Sequence, residues 1–542
     1  MEITLQTKTL DHLGLISGMY DELGLGTGID ELVQTETTRR DVSIGKLCKA
    51  LVLNGLGFTQ RTLYMVSSFF EGKPVELLLG EEFTASQLND SVLGRALDDL
   101  HAYGCTKLFS QLTPLVCERL GLTPRFVHMD STDFHLDGHY NADHPPEEDS
   151  HLLYLTKGYS RDHRPDLNQV VLNLITDNQA GIPLHMEALD GNSSDKTSFR
   201  ETIATYVGQL QTLTGFTYLV TDSAGYTRET IAAYSEQCYW ISRVPETLKA
   251  CQALIASPES LQPFTAGYHY RRMYTEQAGV KQRWLLVFSK EAYQREVKTL
   301  KKTYQKRSLA EYKAFLKLNR QPFGCEQDAL KALARFAKQC SYLEINTLPC
   351  EKKPYYAAKG RPAQNSEPAG YHYLIRADVS CCLEEYQQAA RRKGRFVIAT
   401  NQLDEQALPD TEVLAGYKGQ AKVERGFRFL KDPQFVASSL FVKKPERVEA
   451  LLFIMTLCLT VYAALEYKLR EQLVQQEETL PNQLGKPIQN PTMRWVFALF
   501  NGIHLLYGMP QTEIVVLNLK PVHNKVLTLM GDPYIKCYFL SG

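Results

Sequence analysis

The chain has 542 residues, of which 44% are hydrophobic and 22% charged, and its formal net charge is −1. These fractions are ordinary for a soluble globular protein, and the length is sufficient for three or four domains with a large core. A net charge this close to zero excludes nucleic-acid binding through a global electrostatic field, so any such binding must come from local basic patches.

Cysteine usage and hydropathy indicate the cellular compartment in which the protein is expected. The twelve cysteines include no C-x-x-C pair, and no signal-peptide pattern opens the chain. We therefore expect reduced thiols and a cytoplasmic protein. The longest apolar run, 450–465, contains Thr456 and Thr460 and is short for a membrane span, which predicts a buried helix and no membrane partner.

Residues 1–120 are predicted to form an N-terminal helical domain. An apolar-periodic run at 44–53 follows Ser43, glycines interrupt it, and the helical pattern resumes at 58–70. Several basic residues lie in or near this helix-turn-helix-like unit: Arg39, Arg40, Lys46, Lys49 and Arg61. A DNA-contacting unit and a plain helical bundle, for example for dimerisation, both explain the pattern.

From residue 121 the pattern changes to strands. The predicted elements are strands at 126–130, 169–176 and 182–189, a helix at 195–210, a strand at 216–222, a helix at 227–237 and a strand at 238–244. This order is how an RNase H-like domain begins, with an α/β mixed sheet flanked by helices. The first and fourth strands of that fold are neighbours, so Asp130 and Asp222 should lie side by side. Asp133 and Asp137 compete for the first position, and an aspartate after a strand is also an ordinary turn residue.

About two hundred residues separate Asp222 from the next helix of that fold. They predict an inserted β-rich and helical subdomain at 245–394, between a first part of the RNase H-like domain at 121–244 and a second part at 395–470. Its predicted elements are a hairpin (268–273 and 283–288), helices at 291–318 and 326–340, and a loop at 353–370. The first helix carries a basic run: Lys298, Lys301, Lys302, Lys306 and Arg307. Such a run is either a solvated face or a phosphate-contacting surface.

After a strand at 395–399, a helix is predicted at 417–431. At 100° per residue, one stripe of this helix holds Tyr417, Gln420, Glu424 and Lys431, beside an apolar stripe of Val423, Phe427 and Leu430. The helix would hold one carboxylate at the margin of a core. An amphipathic helix with solvated charges also explains the stretch. Residues 471–542 are predicted to form a linker and a small C-terminal region with no assigned chemistry.

The spacing of Tyr417, Glu424 and Lys431 resembles the Y-R-E-K box of DDE transposases from bacterial insertion sequences. In that family the glutamate completes a metal-binding carboxylate triad. Gln420 stands where the family has arginine, and it keeps hydrogen-bonding capacity without the charge and fork of a guanidinium. The segments Asp-Ser-Thr at Asp130 and Val-Thr-Asp-Ser-Ala around Asp222 resemble the family's two aspartate motifs.

The resemblance implies a DNA transposase that cleaves at transposon ends and joins them to target DNA. Asp130, Asp222 and Glu424 would be catalytic and would bind two Mg²⁺ or Mn²⁺ ions, because oxygen ligands suit hard cations. The implied DNA-binding residues are Tyr417, Gln420, Arg425 and Lys431, with Arg428 assisting. The N-terminal domain would bind transposon ends.

The same resemblance implies a nucleoid-associated protein that works as a homodimer on paired ends and has no small-molecule substrate. In the family, β-rich insertions at this point line the DNA-binding surface. Two other functions share parts of the pattern. One is an RNase H-like nuclease or resolvase that cuts without joining, and the other is a catalytically silent DNA-binding protein derived from a transposase.

Overall fold

The computed structural model describes residues 5–34, 42–58, 62–80, 83–136, 152–160, 164–357, 366–432, 442, 444–508 and 514–538. They form two compact units. The first unit runs to Arg243, includes Tyr274–Arg283 and continues from Ala399. The second consists of Val244–Met273 and Trp284–Ile398. The second unit thus has bounds close to those of the predicted insertion at 245–394.

The N-terminal part of the first unit is mainly helical. Its elements are β1 (Gln6–Thr9), α1 (Leu13–Glu22), α2 (Leu25–Leu32), α3 (Ile44–Leu56), α4 (Val66–Phe70), α5 (Val75–Leu79), α6 (Asp90–Tyr103) and α7 (Cys105–Leu120). Ser43 caps α3 by accepting a hydrogen bond from the Lys46 amide. Asn89 caps α6 in the same way. These caps satisfy amides that the first turn of a helix leaves without an intrahelical partner.

For the predicted helix-turn-helix-like unit, the prediction of the second helix is wrong. In place of a helix over 58–70, the described residues there form a single 3₁₀ turn, Leu63–Met65, followed by the five-residue α4. Phe58 has a positive φ of 60°, a conformation that a helix does not contain. Three of the basic residues assigned to this unit, Arg39, Arg40 and Arg61, lie outside the described residues.

A mixed sheet follows, as predicted. Its elements are β2 (Phe126–Leu136), β3 (Asn168–Asp177), β4 (Pro183–Leu189), α8 (Asp195–Thr202), α9 (Gly208–Thr214), β5 (Tyr218–Thr221), α10 (Arg228–Gln237) and β6 (Tyr239–Arg243). The strand order is β4-β3-β2-β5-β6. β2, β3 and β4 pair antiparallel, whereas β2, β5 and β6 pair parallel. The first and fourth strands of this order, β2 and β5, are therefore neighbours.

The second unit contains both strands and helices. Its elements are α11 (Lys249–Ala256), β7 (Gln262–Thr265), β8 (Tyr268–Gln277), β9 (Val280–Ser289), α12 (Lys290–Asn319), α13 (Glu326–Gln339), β10 (Leu343–Tyr355), β11 (Gly370–Cys381), α14 (Leu383–Arg392) and β12 (Arg395–Thr400), of which β8, β9 and β12 extend into the first unit. Phe315 of α12, Leu333 of α13 and Ile375 of β11 form a small core.

The antiparallel pair β10–β11 was not predicted from the sequence. Most residues of β10 are exposed, so the strand carries no alternation of apolar and polar residues for a pattern to detect. Of the loop predicted at 353–370, residues 353–355 belong to β10 and Gly370 begins β11, while 358–365 lie outside the described residues.

The chain then completes the first unit with α15 (Asp410–Lys418), α16 (Ala421–Leu430), α17 (Pro445–Gln475), β13 (Leu480–Pro481), β14 (Pro487–Ile488), α18 (Met493–Leu499), β15 (His504–Tyr507), β16 (Val515–Leu517), α19 (Pro521–Met530) and α20 (Asp532–Tyr538). By length and composition α17 could cross a membrane, but most of its apolar stretch is buried inside this unit. The buried helix predicted at 450–465 is thus confirmed. The linker predicted from 471 is shorter, because α17 continues to Gln475.

The N-terminal helices and the C-terminal segment share one core. β1 pairs antiparallel with β15, Tyr538 Oη donates to the Asp11 carbonyl at 2.6 Å, and Tyr534 Oη donates to Glu22 at 2.6 Å. α17 packs against α1, α3, α6, α7 and α19. A helix that is apolar all round must be enclosed by other elements, so the N-terminal helices do not form the separate unit that the sequence predicted.

Candidate active site

Asp130 lies within β2 and Asp222 directly follows β5, and these two strands are neighbours. The strand predicted at 126–130 is therefore longer than predicted, because β2 continues its pairing with β3 to Leu136. Met129 of β2 is the register partner of Thr221 of β5, and Asp130 and Asp222 are the next residues along these parallel strands. Adjacent strands lie about 4.8 Å apart, so the backbone places the two residues side by side. The strand order predicted this juxtaposition, whereas the catalytic role of the pair stays a prediction.

Local hydrogen bonds orient both aspartates. Asp222 Oδ1 accepts a hydrogen bond from the Ala224 amide at 2.8 Å, and the Asp222 carbonyl accepts one from Ser242 Oγ at 2.9 Å. Asp130 Oδ1 accepts a hydrogen bond from the Ser131 amide at 2.8 Å. Both aspartates are half-buried. Each carboxylate is thus oriented by its own backbone while remaining partly accessible from solvent.

The single helix predicted at 417–431 is two helices. α15 ends at Lys418 and α16 begins at Ala421. Gly419 and Gln420 keep helical torsions, but the Gln420 amide donates to the Tyr417 carbonyl and the Lys422 amide to the Gly419 carbonyl. These i to i−3 bonds tighten the backbone locally, as in a 3₁₀ turn. Tyr417 therefore lies in the last turn of α15, and Glu424 lies exposed in the first turn of α16.

The break between α15 and α16 is packed against the turn that joins β3 to β4. A Cβ atom at Gly419 would overlap Asn178 Oδ1 and lie 2.7 Å from Nε2 of the buried His128. Lys422 Nζ donates to the carbonyl oxygens of Asn178 and Gln179, the latter at 2.8 Å. A glycine at the closest approach and a lysine one turn later thus fix the start of α16.

The turn itself is rigidly built. The buried Asp177 carboxylate accepts hydrogen bonds from the amides of Gln179 (2.6 Å), Ala180 (2.8 Å) and Ile182 (2.7 Å). Burial raises the pKa of Asp177, although these three amides and Lys422 oppose that shift. Burial also lowers the pKa of His128 to about 4, so this imidazole is neutral at physiological pH. α16 is therefore docked on an ordered part of the sheet.

Tyr417 connects the aspartate side of the site with Glu424. Burial raises the pKa of its hydroxyl, and the negative charges of Asp222 and Glu424 raise it further. A hydrogen bond with Arg243, at the end of β6, and the charge of that guanidinium act in the opposite direction. Tyr417 thus lies within electrostatic range of two of the three predicted carboxylates.

The far end of α16 meets β2. Lys431 Nζ lies 4.0 Å from Asp133 Oδ1 and 5.8 Å from the centroid of the Phe134 ring. Asp133 is only 3% exposed. The competitor for the first aspartate position is therefore buried beside a lysine, whereas Asp130 is partly accessible. Asp137, the other competitor, lies outside the described residues.

The remaining predicted DNA-binding residues face different surroundings. Gln420 is half-buried at the start of α16. Arg425 is exposed and lines a cleft of about 650 Å³ together with Lys422 and Arg470. Burial lowers the pKa of Lys422, and the charges of Arg425 and Arg470 lower it further while Asp177 raises it. Glu424 is not among the described residues that line this cleft, so the cleft lies beside the predicted site rather than at it.

The predicted metal ligands fit a divalent ion in their chemistry but only partly in their placement. Two aspartates and a glutamate offer only oxygen donors, which suit Mg²⁺ or Mn²⁺. Asp130 and Asp222 are neighbours by strand register. Within the part of the chain that the structure describes, however, no three Asp, Glu, His or Cys side chains form a group that could hold an ion.

Sequence reasoning missed the residues that support the site. Arg243, Lys422 and Asn178 were not assigned a role here, although each contacts an element that carries a predicted site residue. By helical spacing, Lys422 lies on the side of the helix away from the Glu424 stripe. The available signal was Gly419, whose position at the edge of an apolar stripe marks a close neighbour.

Comparisons with known proteins show which families and which solved structure the chain is similar to. Residues 121–343 match the transposase DDE domain, and residues 5–114 match a domain of unknown function, DUF4277. The first match includes Asp130 and Asp222 but ends before Glu424. No curated protein matches the chain significantly. A cryo-EM structure of the piggyBac transposase synaptic complex with hairpin DNA is similar at a TM-score of 0.40 and 8% identity, over 92% of this chain and 82% of that one.

Proposed function

We propose that this chain, which belongs to the DDE transposases through residues 121–343, cleaves DNA at transposon ends and joins the ends to target DNA. The observation that carries the proposal is the pairing of Asp130 and Asp222 on the parallel strands β2 and β5. Two carboxylates fixed side by side repel one another unless a cation or a proton lies between them. A cation-dependent reaction on phosphates makes use of that arrangement.

Asp130 and Asp222 are the proposed catalytic metal ligands, and Glu424 is the proposed third. Bound Mg²⁺ or Mn²⁺, two ions by the family pattern, supplies activation of water or of a 3′ hydroxyl and stabilisation of the leaving oxygen. The local hydrogen bonds from the amides of Ala224 and Ser131 hold the aspartates in place. Arg243 and Tyr417 orient the end of α15 next to Asp222.

DNA is the proposed partner, and the proposed binding residues are those of the α15–α16 region. Lys431, Arg425, Gln420 and Tyr417 would contact the phosphate backbone, which fixes register rather than sequence. We also propose a cytoplasmic, nucleoid-associated protein that works as a homodimer on paired ends. Light scattering of the protein bound to end DNA tests the dimer, and a fully active complex with one protomer would rule it out.

The test of the function is a cleavage and joining assay with the full-length protein. The substrate is a labelled duplex that carries the ends of the element, with and without Mg²⁺, and with a target duplex present. Asp130→Asn, Asp222→Asn and Glu424→Gln should each abolish cleavage while retaining end binding, since the ligands and the DNA anchors are different residues.

The outcomes of this assay separate three functions. Cleavage followed by joining supports a transposase, and cleavage without joining indicates a nuclease or resolvase. Binding without cleavage under all metal conditions indicates a silent DNA-binding protein. Near-normal cleavage by Glu424→Gln would show that the assignment of the third ligand is wrong.

A further inference from the structure

One cleft of the first unit is lined mostly by residues that the proposed function does not use. It has a volume of about 650 Å³ and lies between α16, α17 and the β3–β4 turn. Its lining residues on α17 are spaced three or four apart from Leu459 to Val474, which is about 22 Å along one face of the helix. We call it the α16–α17 cleft. Its volume is in the range of small-molecule sites.

The α16–α17 cleft lies on the side of α16 that is turned away from Glu424. At 100° per residue, Lys422, Gly426 and Phe429, which line the cleft, are about 140–160° around the helix from Glu424. None of the three proposed metal ligands is among the described residues that line it. DNA held at those carboxylates would therefore occupy the other side of the helix, which leaves this cleft to a different ligand.

The end of the cleft at the start of α16 is basic. Lys422, Arg425 and Arg470 all line it. Burial lowers the pKa of Arg470, Glu466 opposes that shift, and the nearby charge of Arg425 adds to it. Arg470 is paired with Glu466 at 2.7 Å, but Lys422 and Arg425 form no ion pair with any described residue. Two cations that lack a carboxylate partner favour an anion that carries two charges, such as a phosphate monoester.

Bonds to the backbone hold this basic end in place. Lys422 Nζ donates to the carbonyl oxygens of Asn178 and Gln179, which uses two of the three N–H donors of an ammonium. Arg470 Nε donates to the Pro491 carbonyl at 2.9 Å. Because both side chains are already restrained, an anion that binds to them would cost little side-chain entropy.

The end of the cleft at the last turn of α16 is apolar and aromatic. The rings of Phe429 and Tyr462 lie 4.4 Å apart between centroids, and Tyr462 Oη accepts a hydrogen bond from the Arg494 amide at 3.0 Å. Gly426 lets α16 approach α17 closely, since a Cβ atom there would lie 3.2 Å from Leu459 Cδ2. This end therefore suits a planar aromatic group.

We infer that the α16–α17 cleft binds a small molecule with a doubly negative head and a planar aromatic body, which is the chemistry of a nucleoside monophosphate. The head accepts hydrogen bonds from Lys422, Arg425 and Arg470, and the body lies against the aromatic end. This binding does not depend on cleavage of DNA and so goes beyond the proposed function. Because Lys422 also fixes the start of α16, an occupant restrains the helix that carries Glu424.

The test is titration calorimetry of the full-length protein without DNA and without metal. The probe is AMP, and adenosine and inorganic phosphate are matched controls that offer only the body or only the head. Arg425→Gln removes an exposed cation of the cleft. Arg428→Gln removes an exposed cation of the same helix that is not among the described lining residues and lies about 40° from Glu424.

AMP should bind at least about tenfold more tightly than adenosine or phosphate, because only AMP reaches both ends of the cleft. Arg425→Gln and Arg470→Gln should each weaken AMP binding about tenfold, as expected for a lost hydrogen bond between charged groups. Arg428→Gln should leave the affinity unchanged. Since Arg425 is exposed, its replacement tests the site even if Arg470→Gln unfolds. The inference would be overturned by an absence of saturable AMP binding, by phosphate that binds as tightly as AMP, or by an equal loss in Arg428→Gln.

A further variant, Ala463→Met, separates a free nucleotide from a nucleotide that belongs to DNA. Ala463 lines the cleft on α17, so the longer side chain fills the apolar end without a change of charge. It should weaken AMP binding at least about tenfold and leave binding to a duplex with the element ends unchanged. An equal loss of duplex binding would mean that the occupant is part of DNA, which also overturns the inference. A wild-type protein that binds AMP but never cleaves DNA would contradict the proposed function alone.

Discussion

The ammonium of Lys431 lies 4.0 Å from the buried carboxylate of Asp133. This pair joins the C-terminal end of α16 to β2, the strand that carries Asp130. It gives Asp133 a structural partner and ties the position of Lys431 to the sheet. The pair thus bears on both the choice between Asp130 and Asp133 and the proposed phosphate contact of Lys431.

The first prediction separates the two aspartates of β2. Asp130→Asn should abolish cleavage, because it removes a proposed metal ligand. Asp133→Asn should retain cleavage and lower the free energy of unfolding by about 1–3 kcal/mol, since Lys431 loses a buried charged partner. Cleavage assays and denaturant unfolding of both variants check this. The reverse result would move the proposed ligand by three residues.

The second prediction concerns DNA contacts along α16. Lys431→Ala should lower the salt slope of end binding by about 0.9 if its ammonium also reaches a phosphate. Gln420→Ala, which changes no charge, should leave the slope unchanged, and Gln420→Arg should steepen it if position 420 faces a phosphate. Should Gln420→Arg lower stability without raising affinity, position 420 faces protein, where an unpaired guanidinium is costly.

The third prediction uses two glycines that flank Glu424. Gly419→Ala should destabilise the protein by about 1–3 kcal/mol and reduce cleavage, because the new Cβ would overlap Asn178 and displace α16. Gly426→Ala is the matched control. Its Cβ would lie 3.2 Å from Leu459 Cδ2, and alanine gains about 1 kcal/mol of helix propensity over glycine, so stability should change little. Equal effects of both substitutions would argue against docking through Gly419.

The fourth prediction concerns acid stability. Burial lowers the pKa of His128 to about 4, below its ordinary value of 6.5. The unfolded chain therefore binds more protons between pH 6.5 and 4, and the free energy of unfolding should fall as pH drops through that window, by up to about 3 kcal/mol for this residue. His128→Gln should flatten the pH dependence of unfolding. The same slope in both proteins would mean that His128 is not buried in the neutral form.

The local pattern of apolar and polar residues was sufficient to predict the strands and helices in which that pattern is regular. The strands that carry Asp130 and Asp222, the buried helix α17 and the basic helix α12 were predicted from apolar periodicity, which a single stretch of sequence contains. Strand order also predicted that Asp130 and Asp222 are neighbours, although the register of the parallel pair, and not a shared strand end, aligns them, since β2 continues to Leu136.

Only the tertiary structure decided which charged side chains contact other parts of the protein and which face solvent. Lys422 and Lys302 look alike in the sequence, but the first donates to the β3–β4 turn and the second faces away from its core. The break at Gly419 and the burial of Asp133 beside Lys431 depend on contacts between residues distant in the chain. Such contacts are set by packing against other elements, and helical spacing alone contains no information about the partner.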